Sequence, residues 1–197
     1  MFRFVWYLEY MARKKEYIEE EVIEKAMNLF WQNGYETTSM QMLEKEMGIN
    51  KFSIYSSFGS KNGVFLESIK CYKEKLRKIT DKLKASSNGS IGLKQYFYDF
   101  VEFSKETNIA KGCLITNTAN ELGEDADPKI QEELTKFINT IRSLFANNLK
   151  QNSTQDDATL IEQADYLIVA MFGLSSASRV FNTKQLNNYI ENTFTNL

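Results

Sequence analysis

Residues 26–65, AMNLFWQNGYETTSMQMLEKEMGINKFSIYSSFGSKNGVF, decide the fold of this chain. An apolar face at helical spacing runs into this stretch and ends at Gly34, which is typical of a glycine C-cap. A second, short helix is expected between the hydroxyl caps of Thr38-Ser39 and a stop at Gly48. A third helix follows that turn and ends at Gly59. Two short helices around a glycine turn predict a helix-turn-helix.

The rest of the sequence also favours helices. The 197 residues include one Pro and nine Gly, whereas β-sheet proteins need turn residues at short intervals. Apolar residues recur at helical spacing before, between and after two polar linkers, residues 86–90 and 151–157. A long helix is predicted to begin near Lys61 and another at Pro128, where Asp127 would be the N-cap. We therefore predict an all-α chain of about nine helices.

The composition argues against most enzyme classes. The chain has no His and two cysteines, Cys71 and Cys113, so His-dependent triads and zinc hydrolases are poor candidates. The sequence also lacks the glycine-rich loops that bind dinucleotides or phosphates. We predict no catalytic residue, no metal site and no cofactor.

Charge and hydropathy indicate where the chain acts. Residues 1–85 carry 15 Lys and Arg against 12 Asp and Glu, whereas residues 86–197 carry 9 against 14. This basic excess favours contact with a polyanion, although an excess so small also arises by chance. No segment reaches the roughly 18 uncharged apolar residues of a membrane span, and no signal peptide is recognisable. We expect a cytoplasmic protein with reduced thiols and no membrane partner.

Residues 26–65 resemble the DNA-binding domain of the TetR family of bacterial transcriptional regulators. The family pattern A-x-x-L-F-x-x-x-G-[YF]-x-x-T-[ST]-[MV] begins at Ala26, and its G-[VI] and S-K elements match Gly48-Ile49 and Ser60-Lys61. Residues 111–128, KGCLITNTANELGEDADP, resemble the start of the ligand domain in an AcrR-like branch of the family.

The resemblance implies two helical domains behind a short arm. An N-terminal three-helix helix-turn-helix DNA-binding domain is expected at residues 16–62, and a C-terminal helical ligand-binding and dimerisation domain at residues 63–197. Residues 1–15 are expected to be an N-terminal extension whose Arg13-Lys14-Lys15 would reach a DNA groove as a basic arm. Residues 1–10 are interpreted either as an upstream extension from start-site assignment or as a short extra helix.

The resemblance also implies which side chains contact DNA. The family's base contacts fall on Gln41, Lys51, Phe52 and Tyr55. Its phosphate contacts fall on Ser39, Ser53, Ser56, Ser57 and Lys61. Phe52 departs from the family, which usually has Gly, Pro or another small residue there, and a ring either reads a thymine methyl or tilts the helix. For Tyr55 the alternative is a place in the core.

An aromatic stripe with two amides predicts an effector pocket in the C-terminal part. Its members are Tyr96, Phe97, Phe100, Phe103, Asn117, Asn120, Met171 and Phe172. Ligand pockets are mostly apolar and use a few polar groups to orient the ligand. The alternative is that the stripe is ordinary core.

A homodimer is expected, because in the family the last two helices form a dimer bundle. We predict a helix from Leu160 to Phe181 whose late turns carry small residues: Gly173, Ser175, Ser176 and Ala177. Small side chains let another helix approach closely. A two-fold protein also doubles the contacts on a palindromic DNA site.

The sequence therefore predicts a transcriptional repressor. It would occupy palindromic double-stranded operator DNA as a homodimer and leave it when a small apolar or aromatic effector binds the C-terminal domain. One alternative is control by a protein partner or by thiol chemistry at Cys113, although a buried structural role is the default for that residue. A helical enzyme is the least favoured alternative.

Overall fold

The computed structural model describes residues 17–105, 111–123, 125–151, 153–195 and 197, and within these ranges it contains nine α-helices and no β-strand. The helices are α1 (Glu19–Asn33), α2 (Met40–Met47), α3 (Lys51–Phe58), α4 (Lys61–Ala85), α5 (Ser90–Ser104), α6 (Leu114–Glu121), α7 (Pro128–Lys150), α8 (Asp157–Ser178) and α9 (Thr183–Thr195). The predicted all-α class is confirmed. The predicted extension and basic arm, residues 1–15, lie outside the described residues.

Local capping signals fix the ends of the first three helices. Gly34 ends α1 with a φ of 88°, a backbone conformation that favours glycine. The Ser39 side chain accepts a hydrogen bond from the N–H of Met42 at 3.2 Å, and the Asn50 side chain accepts one from Ser53 at 2.9 Å. These caps satisfy N–H groups that have no partner inside their own helix. The predicted helix-turn-helix is thus formed by α2 and α3.

The long helix α4 joins the helix-turn-helix to the rest of the chain. Its first turns pack against α1, where the rings of Phe30 and Phe65 meet edge to face with centroids 4.9 Å apart. Further along, α4 contacts α5, α6 and α7. Because α4 begins at Lys61, the expected domain boundary at residue 62 falls in its first turn, and that boundary stays a prediction.

The C-terminal helices enclose an aromatic core. Helices α7 and α8 lie side by side, with an ion pair between Arg142 and Asp165, and α5 packs against both as well as α9. As predicted, α7 begins at Pro128, and the Asp127 side chain accepts a hydrogen bond from the N–H of Lys129 at 2.8 Å. In the described ranges, no helix has both the length and the apolar character needed to cross a membrane.

The small residues of α8 do not share one face, which corrects the expectation of a small-residue dimer seam. Ser175 is fully buried and Ser178 is buried, whereas Gly173 and Ser176 are exposed. The 3.6-residue period turns positions 173 and 176 away from positions 175 and 178. Ser175 therefore packs inside the subunit and is not part of an intersubunit seam.

Candidate nucleic-acid interface

The second helix of the helix-turn-helix, α3, presents a polar and aromatic outer face. Phe52 is 81% exposed and Tyr55 is 44% exposed, while Ile54 is completely buried beneath them. Ile54 thus anchors α3 in the core, and the core interpretation of Tyr55 does not match its position. Lys51 is also exposed, and its Nζ lies 5.8 Å from the centre of the Tyr55 ring.

Two contacts hold the N-terminal end of α3. The side chain of Asn50 caps the helix, and the carboxylate of Glu44 accepts a hydrogen bond from the backbone N–H of Lys51 at 2.9 Å. Glu44 belongs to α2, so the two helices are joined at the end that would enter a major groove. The backbone that carries the outward side chains of Lys51, Phe52 and Tyr55 is therefore held in place.

The nine predicted DNA-contacting residues lie at α2, α3 and the start of α4. The exposed ones are Ser39, Gln41, Lys51, Phe52, Tyr55 and Ser56. The half-buried ones are Ser53, Ser57 and Lys61. Ser39 already accepts the N–H of Met42, but its hydroxyl proton stays free to be donated to a phosphate oxygen. Ser57 shares a hydrogen bond of 2.6 Å with the hydroxyl of Tyr17.

Lys61 is held against the turn that follows α1. Its Nζ donates to the carbonyl of Glu36 at 3.3 Å and lies 4.4 Å from the centre of the Tyr35 ring. Burial lowers the pKa of the Lys61 ammonium, while the carboxylates of Glu36 and Glu121 act in the opposite direction. A phosphate contact would require the ammonium to leave the Glu36 carbonyl or to bridge to the phosphate from there.

Hydrogen bonds connect that same turn to the C-terminal helices. The hydroxyl of Tyr35 donates to Asn62 at 2.5 Å, and the amide of Asn62 donates to the carboxylate of Asp127 at 2.6 Å. The carboxylate of Glu121, at the end of α6, accepts a hydrogen bond from the backbone N–H of Glu36 at 3.0 Å. A shift of α6 or of the start of α7 would therefore move the turn after α1, to which the Lys61 ammonium is hydrogen-bonded.

A buried connection links α1 to the segment before α6. The indole N–H of Trp31 donates to the carbonyl of Gly112 at 3.0 Å. Lys111, which is 7% exposed, places its Nζ 3.2 Å from the side-chain oxygen of Asn28 and 5.1 Å from the centre of the Trp31 ring. Burial lowers the pKa of Lys111, and the nearby charge of Lys75 adds to this.

Sequence reasoning missed the residues of these two connections, except for the cap at Asp127. The hydrogen-bonded partners lie 27 to 85 positions apart, and no local pattern marks a pair at such a separation. The one hint in the sequence is the 111–128 stretch, which the resemblance assigns to the start of the ligand domain without a role for Lys111, Gly112 or Glu121.

Seven of the eight residues of the predicted effector pocket are dispersed through the core. Tyr96 and Phe97 pack against Phe145, and Phe103 packs against Trp31 and Tyr72. Phe100 and Met171 are buried and Phe172 is half-buried. The amide of Asn117 donates to the carbonyl of Lys111 at 2.8 Å, whereas Asn120 is exposed and lies outside this cluster.

Two buried hydroxyls in this region lack hydrogen-bond partners among the described residues, Tyr96 Oη and Thr116 Oγ1. An unsatisfied buried polar group costs about 1–3 kcal/mol. The hydroxyl of Tyr72 is satisfied by donating to the thiol of Cys113 at 3.2 Å. Across the described ranges, no group of three or more Cys, Asp or Glu side chains is arranged to hold a metal ion.

Comparisons with known proteins agree with this geometry. The family model for bacterial regulatory proteins of the tetR family matches residues 22–68, which include α2 and α3. The HTH-type transcriptional regulator YezE of Bacillus subtilis (strain 168) is 27% identical over 176 residues, 86% of this chain and 90% of that protein. IcaR of Staphylococcus aureus (strain Newman), a negative transcriptional regulator of the biofilm operon icaADBC, is 28% identical over 128 residues, 61% of this chain and 69% of that protein.

Solved structures share the whole fold. A cysteine mutant of the regulator CifR, in complex with 26 bp double-strand operator DNA, superimposes with a TM-score of 0.83 at 22% identity, covering 93% of this chain and 98% of that one. The reduced form of NemR from E. coli gives a TM-score of 0.74 at 17% identity, covering 90% and 93%. At identities of 22% and 17%, these two structures show a shared fold and nothing about function.

Proposed function

The chain belongs to the TetR family of bacterial transcriptional regulators, and from this premise we propose that it is a homodimeric, effector-released repressor. The observation that carries the proposal is the outer face of α3, which presents Lys51, Phe52 and Tyr55 and contains no carboxylate. A cation and aromatic rings on a helix held by its neighbour are suited to reading base edges in a major groove.

An exposed apolar strip on α8 supports the dimer. Tyr166 is 49% exposed and Val169 is 71% exposed, and the exposed Gly173 and Ser176 continue the same face. Tyr189 of α9 borders this strip, because its hydroxyl donates to the carbonyl of Ala170. Exposed apolar surface of this kind marks association sites. The dimer places two copies of α3 on a palindromic operator.

The effector is proposed to enter the aromatic core between α5 and α6. The hydroxyls of Tyr96 and Thr116 support this place, since a ligand acceptor or donor would satisfy them. The effector would be a small, largely aromatic or apolar molecule with at least one hydrogen-bonding group. Its entry would displace α6 and so act on the turn at Glu36 through Glu121.

Selection from a random DNA library with the purified protein tests DNA recognition. We expect enrichment of a palindrome with half-sites about one helical turn, 10–10.5 bp, or a multiple of it apart. The enriched DNA should bind with a steep salt dependence. Enrichment of no sequence by the folded protein, or salt dependence no steeper than that of a neutral control protein, would contradict the proposal.

A thermal-shift screen of small aromatic compounds tests effector control. A true effector should raise the melting temperature and weaken binding to the selected operator. Tyr96→Phe, which removes the unsatisfied hydroxyl and keeps the ring, should weaken binding of that compound. If no compound releases the operator but peroxide does, and Cys113→Ser abolishes that release, control lies with the thiol instead. Cys113 is 1% exposed, which argues against this alternative.

The proposal places the protein in the bacterial cytoplasm, where operator DNA is found, and assigns it no enzymatic activity. It gives the protein no cofactor and no membrane partner. Its DNA partner is double-stranded, since the two α3 helices of a dimer need two successive major grooves.

A further inference from the structure

Phe52 carries the most exposed aromatic ring in the described part of the chain, with 81% of the residue accessible to solvent. Phe52 is the second residue of α3, and Ile54 and Phe58 hold this helix against the core. The ring is thus not packed against its own subunit. An apolar ring of this size gains free energy only when an apolar partner removes it from water.

The structure also bears on the second interpretation of this residue, in which the ring tilts the helix. Asn50 caps α3 normally, Glu44 binds the N–H of Lys51, and Ile54 is fully buried. These contacts show no tilt of α3 away from the core, and the Phe52 ring points outward from the helix. Phe52 therefore adds a large apolar group to the outer face of a helix that is capped by Asn50 and anchored by Ile54.

The chemistry of the major groove leaves such a ring one good partner. A phenylalanine side chain neither donates nor accepts a conventional hydrogen bond, so it cannot distinguish the polar base edges. The one apolar group that bases present in that groove is the C5-methyl of thymine. Lys51 beside it supplies a donor for guanine or a phosphate, so the two side chains read different features.

We propose that Phe52 is a specificity-determining residue that reads the C5-methyl group of one thymine in each operator half-site. The inference rests on the proposed function, because it requires operator binding through α3. It adds a chemical requirement that fold and family do not supply: a 5-methylated pyrimidine at one symmetric position of the operator.

Replacing thymine by deoxyuridine tests this requirement, since deoxyuridine pairs in the same way and lacks only the methyl group. Each thymine of the selected palindrome is replaced in both half-sites, one symmetric position at a time, and Kd is measured by fluorescence anisotropy. For the wild type, one position should lose affinity by about fourfold per half-site, or about fifteenfold for the dimer, as expected for one buried methyl-sized group.

The same DNA series is then measured with two variants and a control. Phe52→Ala should bind thymine and deoxyuridine operators equally at that position, whereas Phe52→Leu should keep part of the discrimination. Ile91→Ala changes an exposed apolar residue on α5, far from α3 in sequence, and should behave as wild type. Because residue 52 is so exposed, circular dichroism should show all variants folded.

The possible outcomes distinguish a failure of the role proposed for Phe52 from a failure of the proposed operator binding. Wild-type indifference to every deoxyuridine, or equal discrimination by Phe52→Ala and wild type, would overturn the role of Phe52 and leave operator binding intact. Loss of methyl discrimination only in Phe52→Ala, with partial rescue in Phe52→Leu, supports it. Failure of the folded wild type to select any operator would overturn the proposed function, and this inference with it.

Discussion

The side chain of Ser175, in the last turn of α8, accepts a hydrogen bond from the backbone N–H of Cys113 at 2.8 Å. Gly112, with a φ of 69°, lies against the same residue, and a Cβ added there would come within 3.0 Å of the Ser175 carbonyl oxygen. Small side chains on both partners allow the segment before α6 to pack directly on α8. Ser175 therefore stabilises the fold of one subunit.

Substitution of Ser175 should lower the stability of the subunit. Ser175→Ala leaves the buried N–H of Cys113 without its partner, so the free energy of unfolding should fall by about 1–3 kcal/mol. Ser175→Arg should prevent folding, because a long charged side chain has no space in a fully buried position. Urea denaturation measures the first effect, with exposed Ser176→Ala as the matched control. A stable, folded Ser175→Arg monomer would contradict this assignment.

Val169→Glu should break the dimer without unfolding the subunit. Val169 lies on the exposed strip of α8, where a carboxylate on each subunit would be brought against an apolar partner face. Ile91→Glu is a matched control, since Ile91 and Val169 are both 71% exposed. Sedimentation velocity should show a monomer for the first variant and a dimer for the second. A dimeric Val169→Glu variant, or a monomeric wild type, would refute dimerisation through α8.

The sequence predicts α1 to α3 well because their ends depend on neighbouring residues. Gly34, Ser39 and Asn50 each cap a helix through contacts within four positions. The orientation of α8 was harder to predict, because this helix is apolar on most of its circumference. Small residues at positions 173 to 177 then appear as one patch in sequence, although the helix places them on opposite sides.

The long-range parts of the site cannot be derived from local patterns. Glu121 and Glu36 meet because α6 packs near the turn after α1, and both residues look like solvent-exposed acids in the sequence. The DNA contacts are predicted from the resemblance, since the spacing of these residues alone does not separate them from other exposed polar positions. Lys61 shows the difference, because its phosphate contact is a prediction from the motif, whereas its hydrogen bond to the Glu36 carbonyl is seen only in the structure.

Stability at high pH should depend on Tyr98. The pKa of Tyr98 is raised to about 12, mainly by burial. The hydrogen bond that its hydroxyl donates to Glu191 and the negative charge of that carboxylate add to the effect. A raised phenol pKa favours the neutral form in the folded state. Its contribution to stability is therefore complete below about pH 10, the ordinary value, and lost as pH rises towards 12.

Tyr98→Phe should remove this contribution to the alkaline loss of stability. Thermal melts between these pH values should show a shallower decline for the variant than for the wild type, although the variant starts from a lower stability because one hydrogen bond is missing. Ultraviolet titration of tyrosinate should lack one late-titrating group in the variant. Identical alkaline slopes in both proteins would contradict the assigned pKa.

Lys51→Ala should reduce sequence preference at one symmetric position. Its side chain projects from the first residue of α3, where a long cation can donate to the acceptors of guanine. The expected loss on the selected operator is about 1–3 kcal/mol per half-site, with little change on random DNA. Competition binding with every base substituted at each half-site position measures both. A uniform loss on all sequences would reassign Lys51 to a phosphate.

Lys61→Ala should instead weaken operator and random DNA alike. If its ammonium neutralises a phosphate, the slope of log K against log salt becomes shallower by about 0.9 per contact, and by about 1.8 for the dimer. Lys70→Ala is the matched control, because Lys70 lies on the same helix and pairs with Glu67. Since Lys61 also binds the Glu36 carbonyl, circular dichroism and thermal melting must show that the variant is folded. An unchanged salt slope in a folded variant would mean that Lys61 only stabilises the turn after α1.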